Sequence, residues 1–160
     1  MRTRIILLVL MVAVAAGIIY QVSLNRQRLP DDRQIAELLQ WGIGGVEKND
    51  PRQAVSIVSK NYKDDAGMTY TFLRIRTYDA LRSDVQPDVT ILKPSIRING
   101  DNATLDAQFS VIDRKNDEAI FTRDLTLHLR REKLRRYLIF STHEWRIVSI
   151  EGVGEIIENM

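Results

Sequence analysis

A tyrosine and two aspartates stand close together in the first half of the chain and could carry acid/base chemistry. They are Tyr62, Asp64 and Asp65. A buried tyrosine beside an aspartate of raised pKa can take part in proton transfer. The surrounding segment, residues 61–67, has the asparagine, aspartate and glycine content of a loop, so turn formation and capping are the alternative roles. We treat the three residues as catalytic candidates.

The remaining residue types exclude several kinds of site. The sequence of 160 residues has no cysteine, which excludes thiol catalysis and thiolate metal ligands. The two histidines, His128 and His143, do not have the spacing of a metal site. Neither a glycine-rich phosphate loop nor a nucleophile elbow is present. We therefore predict no metal and no cofactor.

The most strongly charged segment lies near the end of the chain. Glu132 interrupts its basic residues, which are Arg130, Arg131, Lys133, Arg135 and Arg136. Such a segment can contact anionic lipid headgroups or an acidic partner protein. The alternative is a solvated hairpin whose charges prevent pairing at a sheet edge. Nucleic-acid binding is not predicted, because 23 basic and 21 acidic residues nearly balance and only Tyr137 could stack on a base.

Apolar residues at helical spacing predict a first helix that begins near Arg33, with a preceding aspartate as its N-cap. Gly42, Gly44 and Gly45 interrupt its interior, where each glycine costs about 1 kcal/mol relative to alanine. We explain them by close packing against a sheet.

Two shorter helices are predicted to follow. One begins at Pro51, a residue that suits the first helical position. The other spans residues 69–81 and is expected to bury the apolar side chains Leu73, Tyr78 and Leu81. The first half of the chain is therefore helical.

From residue 88 the hydrophobic period changes to two, which indicates strands. Pro94 interrupts the first strand and predicts a bulge or an edge position. Asn99 and Gly100 form a strong hairpin signal, and strict alternation over residues 103–111 predicts the second strand. Four antiparallel strands are expected in all.

The third predicted strand runs over residues 121–130 and the last over residues 145–151. Polar residues alternate with leucines in the third strand, so one face of the sheet is wet. Asp106 and His128 are opposite in phase to the apolar residues, and we expect both on the solvent face.

An apolar run lies close to the first residue. It begins at Ile5, ends at Tyr20 and contains no charged residue, and the next charge is Arg26. With the residues up to Asn25 it reaches the length of about 20 residues that crosses a membrane. We therefore predict a single-pass membrane protein. Cleavage of a signal peptide after Ala15 is the alternative.

Basic residues flank the apolar run on both sides in nearly equal numbers. Because the tail in front of the run is short, we place the domain on the non-cytoplasmic side. The predicted organisation is an anchor in residues 1–25, a linker in residues 26–32, a single domain in residues 33–152 and a C-terminal tail in residues 153–160.

Three segments of the chain resemble the nuclear transport factor 2-like superfamily. Residues 46–55 and 61–67 are similar to its helix-break patterns, and residues 145–152 to its closing strand. The resemblance spans residues 33–152. It implies an α+β fold, with three N-terminal helices packed on a curved four-stranded antiparallel sheet and a cavity between them. In this chain one transmembrane helix would precede that domain.

Enzymes of this superfamily, such as ketosteroid isomerase and scytalone dehydratase, hold carboxylate, tyrosine or histidine groups inside the cavity. The resemblance places Tyr62, Asp64 and Asp65 near its mouth, but no ketosteroid isomerase triad matches this sequence residue by residue. The layout of one anchor and one such domain is similar to that of the inner-membrane assembly subunit of type IV secretion systems and of actinobacterial Mce-associated membrane proteins.

We therefore expect a membrane-tethered, non-enzymatic domain that binds a protein partner or acts as an assembly scaffold. A domain that stabilises its own oligomer is a further alternative. So is a small-molecule-binding or isomerase-like domain facing the cell envelope. That last function requires a pocket with convergent polar groups, which Trp41, Phe72 or Tyr78 would close if they filled it.

Overall fold

The computed structural model describes residues 29–82, 85–136 and 140–152. Its helices are α1 Asp31–Glu47, α2 Pro51–Val55 and α3 Tyr70–Ala80, and its strands are β1 Pro87–Asn99, β2 Asn102–Asp113, β3 Glu118–Arg136 and β4 Phe140–Glu151. The predicted anchor and C-terminal tail lie outside the described residues. Within the described part, the helices are too short or too polar to cross a membrane.

The four strands form one antiparallel sheet in the order β1-β2-β3-β4, which confirms the predicted α+β meander. Asn99 pairs with Asn102, and Gly100 has a φ of 59° in the tight turn between them. Positive φ at this position is what a two-residue hairpin requires. The register of β1 shifts between Leu92 and Ser95, so the bulge predicted at Pro94 is also confirmed.

The buried side chains lie on one side of the sheet, called here the inner face. Alternate residues of the strands point there, and α1 covers them with Ile35 and Leu39. The sheet residues of this core are Ala103, Leu105, Ala107, Leu127, Leu129, Trp145 and Ile147. On the opposite side, called here the outer face, the strand residues are exposed or partly covered.

Helix α1 begins at Asp31, earlier than predicted, and no side chain caps it. Pro30 takes the N-cap position, and its backbone carbonyl accepts a hydrogen bond from Gln34 N at 3.0 Å. The predicted aspartate cap is wrong. Asp31 and Asp32 instead occupy the first turn, where negative charge interacts favourably with the helix dipole. The Asp31 carboxylate accepts a hydrogen bond from Arg131.

The glycines of α1 pack against the chain that follows the helix, and not against the sheet as predicted. A Cβ atom on Gly45 would lie 2.4 Å from Ala54 N, and one on Gly42 would lie 2.3 Å from Ile57 Cδ1. The chain beyond α2 can therefore turn back and run beside β4. There Ile147 N donates to Ile57 O at 3.1 Å, and Ser59 N donates to Ile147 O at 2.9 Å.

Helix α3 has no buried residue. The predicted burial of its side chains is therefore wrong, since Leu73, Tyr78 and Leu81 are only partly covered. The helix packs mainly on α2, and its residues Tyr70 and Leu73 pack against the core while partly exposed. Phe72 and Ile75 are exposed.

Replacing Gly45 by alanine should destabilise the fold. We expect Gly45→Ala to lower the free energy of unfolding by about 1–3 kcal/mol, because the new methyl group would meet backbone atoms of the next helix. Urea denaturation of the full-length chain in mild detergent, followed by circular dichroism, measures this change.

Gly44→Ala is the matched control. Its Cβ would meet only the end of the Gln53 side chain at 3.3 Å. The substitution should raise helix stability by as much as about 1 kcal/mol. Equal destabilisation by both variants would contradict the close packing of Gly45 in α1 against the backbone of α2.

Candidate functional site

Residues 57–59 pair with β4, and the loop that follows them brings two of the three candidate residues together. Tyr62 is buried in the core, and its hydroxyl donates to Asp64 Oδ2 at 3.2 Å. The other carboxylate oxygen, Asp64 Oδ1, accepts from Met68 N at 2.7 Å. Both oxygens of this buried carboxylate are thus hydrogen-bonded within its own loop. Asp65 is exposed, and its Oδ1 accepts from Ala66 N at 2.9 Å.

The Tyr62 hydroxyl is a very weak acid in this environment. Burial raises its pKa above the ordinary tyrosine value, and the negative charge of Asp64 and the hydrogen bond to it raise the pKa further. The phenol therefore keeps its proton at neutral pH and acts as a donor to Asp64. This arrangement suits stabilisation of the loop, because a proton held so firmly is difficult to transfer.

The space between α1 and the inner face is occupied by apolar side chains. Trp145 is 2% exposed, and Ile35, Leu105 and Leu129 around it are also almost fully buried. Trp145 Nε1 has no hydrogen-bond partner among the described residues. Trp41 and Phe72 do not fill the interior, since both are exposed on the helices. Tyr78 is only partly covered.

The outer face carries a network of polar side chains. Asp106 accepts from Arg97 Nη2 and from Thr126 Oγ1, each at 2.7 Å. His128 Nε2 and Glu151 Oε1 form a further hydrogen bond at 2.7 Å. Asp106 and His128 thus lie opposite the core, as their phase in the strands predicts. These polar groups are held in place by one another and face solvent.

A groove of about 590 Å³ opens on the outer face beside the bulge of β1. Its polar lining consists of Lys93, Ser95, Asp106, Gln108, Asp124, Thr126 and Glu151. Leu92 and Ile112 are exposed on the same face. Lys93 and Glu151 were not predicted to line such a site. Thr126 shares the phase of His128 in the third strand, which had already indicated the wet face of the sheet.

The basic segment belongs to β3, and its side chains differ in their surroundings. Arg130 and Lys133 are exposed. Arg131 is largely covered: it bonds to Asp31, and its guanidinium lies 4.9 Å from the ring centroid of Trp145. The side chains of Arg135 and Arg136 are outside the described part of the structure. Of the predicted contact residues, Arg131 therefore has a structural role.

The placement of Arg131 could have been predicted from its phase, which matches that of the buried Leu127 and Leu129. Glu132 also has a contact that the sequence did not suggest, since it accepts from Ser59 Oγ at 2.7 Å. No group of histidine and acidic side chains that could hold a metal occurs among the described residues.

Comparison with solved structures identifies the fold. A protein of unknown function with a cystatin-like fold from Nostoc punctiforme superposes with a TM-score of 0.57 at 17% identity, covering 75% of this chain and 87% of that chain. A function-unknown protein from Mycobacterium tuberculosis superposes with a TM-score of 0.61 at 14% identity, covering 75% of this chain and 73% of that chain. A nuclear transport factor 2-like protein of unknown function from Pseudomonas putida KT2440 superposes with a TM-score of 0.59 at 10% identity, covering 74% of this chain and 82% of that chain.

These likenesses establish the fold alone. The chain has the nuclear transport factor 2-like, cystatin-like fold that its sequence motifs suggested. No family model matches the sequence, and no curated protein matches it. A function must therefore be argued from the surfaces and contacts of this chain.

The raised pKa of Tyr62 predicts a pH-dependent contribution to stability. In the unfolded chain the phenol ionises at about pH 10, whereas the folded protein holds the proton to higher pH. The contribution is thus fully present below the unfolded pKa and is lost as pH rises towards the folded pKa. We expect the stability difference between wild type and Tyr62→Phe to shrink by about 1.4 kcal/mol per pH unit above that point.

Urea midpoints of the two proteins at several alkaline pH values measure this difference. Other tyrosines and lysines ionise in both proteins, so the comparison isolates the single phenol. A difference that stays constant with pH would show that Tyr62 is not protected from ionisation.

The structural role of Arg131 predicts unequal effects for two neighbouring arginines. Arg131→Gln should lower the free energy of unfolding by about 1–3 kcal/mol, because it removes both the ion pair with Asp31 and the contact with Trp145. Arg130→Gln, the exposed control, should change it by less than about 0.5 kcal/mol. Thermal or urea unfolding measures both. Similar values for the two variants would refute the assignment.

Proposed function

We propose that this protein is a non-enzymatic, membrane-tethered domain that binds a protein partner through the outer face of its sheet. The observation that supports this function is the distribution of its side chains. The inner face is packed with apolar groups, and the Tyr62–Asp64 pair is buried and bonded within its own loop. The polar groups that another molecule could contact lie on the outer face, across β2 and β3.

The outer face has the mixed character of a protein-binding surface. Leu92 and Ile112 expose apolar area among hydrogen-bonded polar side chains such as Asp106 and Thr126. Protein interfaces combine apolar contacts with polar groups in about this way. The polar groups are fixed by contacts within the domain, so binding costs little side-chain entropy. A second copy of the chain is one partner that such a face could accept.

The tether is proposed from the sequence. The apolar run that ends at Tyr20 has the composition of a membrane span, and only residues 21–28 separate it from the first described residue. A single-pass anchor would hold the domain close to the membrane on the non-cytoplasmic side. Tethering raises the local concentration of the domain near other membrane proteins, which favours weak, surface-mediated association.

A small-molecule-binding role is the second candidate, and the groove on the outer face favours it. Its volume of about 590 Å³ is within the range of ligand sites, and Lys93 and Asp106 supply charges of both signs. The groove is open and lies on the opposite side of the sheet from the predicted cavity. It would therefore bind a polar ligand at the surface.

Charges placed on the outer face test the proposed function. Leu92→Glu combined with Ile112→Glu should weaken association with the partner by about a hundredfold, because each carboxylate would be buried without a partner in the complex. Native mass spectrometry of the full-length chain, extracted gently in detergent, reports associated proteins, self-association and bound small molecules in one spectrum. Circular dichroism checks that the variant is folded.

Phe72→Glu combined with Ile75→Glu is the matched control. These residues of α3 are 63% and 51% exposed, against 42% and 36% for Leu92 and Ile112. Association that survives the outer-face change and is lost in the α3 variant would contradict the proposal. A discrete small-molecule adduct on a species without protein partners would favour the second candidate.

A further inference from the structure

The ends of β3 and β4 form a two-stranded ribbon that extends beyond the rest of the sheet. Arg130 is the last residue of β3 that pairs with β2, opposite Asn102. From Arg131 to Arg136, β3 pairs with β4 alone in the described part of the structure. Six residues of strand span about 20 Å. We call residues 130–136 with their β4 partners, residues 140–146, the basic ribbon.

The base of the basic ribbon is fixed beside the start of α1. Arg131 bonds to Asp31 in the first turn of that helix, and its backbone N–H donates to Asp101 O at 2.8 Å. The same guanidinium stacks on Trp145, which is anchored in the core. The ribbon is therefore joined to the helix by the contact between Arg131 and Asp31, while the other two contacts hold Arg131 to the neighbouring turn and to the core.

The start of α1 is also the point where the chain arrives from the apolar run. Residues 21–28 join Tyr20 to the first described residue, Leu29, and such a segment reaches at most about 30 Å when fully extended. A membrane that held the apolar run would therefore lie within reach of a ribbon about 20 Å long. The base of the ribbon and the start of the described chain thus lie at the same end of the domain.

The exposed charges of the basic ribbon are mainly positive. Arg130 and Lys133 face solvent, whereas its acidic residues are engaged: Glu132 accepts from Ser59, and Glu144 accepts from Arg146 Nη2 at 2.7 Å. Two further acids lie at this end of the domain, Asp101 and Asp32. Asp101 Oδ1 lies 3.8 Å from Arg131 Nη1, and Asp32 belongs to the first turn of α1.

We propose that the basic ribbon docks on anionic lipid headgroups of the membrane that holds the apolar run. This inference rests on the proposed tether. Each basic side chain near an anionic surface strengthens such contact by about fivefold, so Arg130 and Lys133 together favour the docked state by about thirtyfold. Because the anchor already supplies attachment, the ribbon determines the orientation of the domain.

The absence of cysteine allows a clean test in the full-length chain. His143, an exposed residue paired with Lys133, is changed to cysteine and labelled with a fluorophore. The labelled chain is placed in nanodiscs of phosphatidylcholine, or of an equimolar mixture with phosphatidylglycerol, that carry a quencher on the headgroups. The docked-to-undocked ratio should rise by about thirtyfold in the anionic nanodiscs and should fall with added salt.

Charge reversal tests the residues themselves. Arg130→Glu combined with Lys133→Glu should abolish the response to anionic lipid. Lys48→Glu combined with Arg52→Glu makes the same change in charge at exposed positions near the other end of α1 and should leave the response intact. A label at Glu118→Cys, at the start of β3, should remain unquenched throughout.

The two proposals can fail separately. Release of the wild-type chain from membranes by alkaline carbonate would overturn the tether and the docking together. Retention of the chain with equal quenching in both lipids would overturn the docking alone. If charge reversal instead removed a co-purifying acidic protein without any change in quenching, the ribbon would be a protein-binding surface and the lipid proposal would be wrong.

Discussion

The close approach of α1 to the chain that follows it holds the helices and the sheet together. Gly42 and Gly45 leave no side chain between the two helices, so Ile57 enters the space beside α1. The next residues then pair with β4 through Ile147, and Tyr62 completes the core beyond that point. A short, local contact between backbones thus determines a pairing that connects distant parts of the chain.

This packing also determines where polar groups can act. Helix α1, Tyr62 and the inner face leave a dense apolar interior, in which a charged group would be costly unless it were paired. The buried Asp64 meets that requirement with hydrogen bonds from its own loop, and Arg131 meets it with Asp31 and Trp145. The polar groups of the outer face have no such constraint. The polar groups that another molecule could reach therefore lie outside the core.

Local patterns predicted the sheet well and the helical packing poorly. The alternation of β2, the turn at Gly100 and the bulge near Pro94 are properties of neighbouring residues, so the sequence contains them directly. The partner of Gly45 and the weak burial of α3 depend on which element lies opposite, and periodicity does not specify that. Arg131 was classed with its charged neighbours, although its alternation with Leu129 already indicated an inward position.

The two proposed surfaces are compatible because they occupy different parts of the same sheet. The outer-face groove lies over the middle of β2 and β3, around Asp106 and Thr126, whereas the basic ribbon begins where β2 ends, at Arg130. A ribbon docked on lipid would hold β3 at a defined angle to the membrane and leave the outer face open to a neighbour. Without this docking the domain could rotate about its anchor, and each encounter would then carry a larger entropic cost. Fixing the orientation through the docked ribbon would lower that cost without any new contact to the partner.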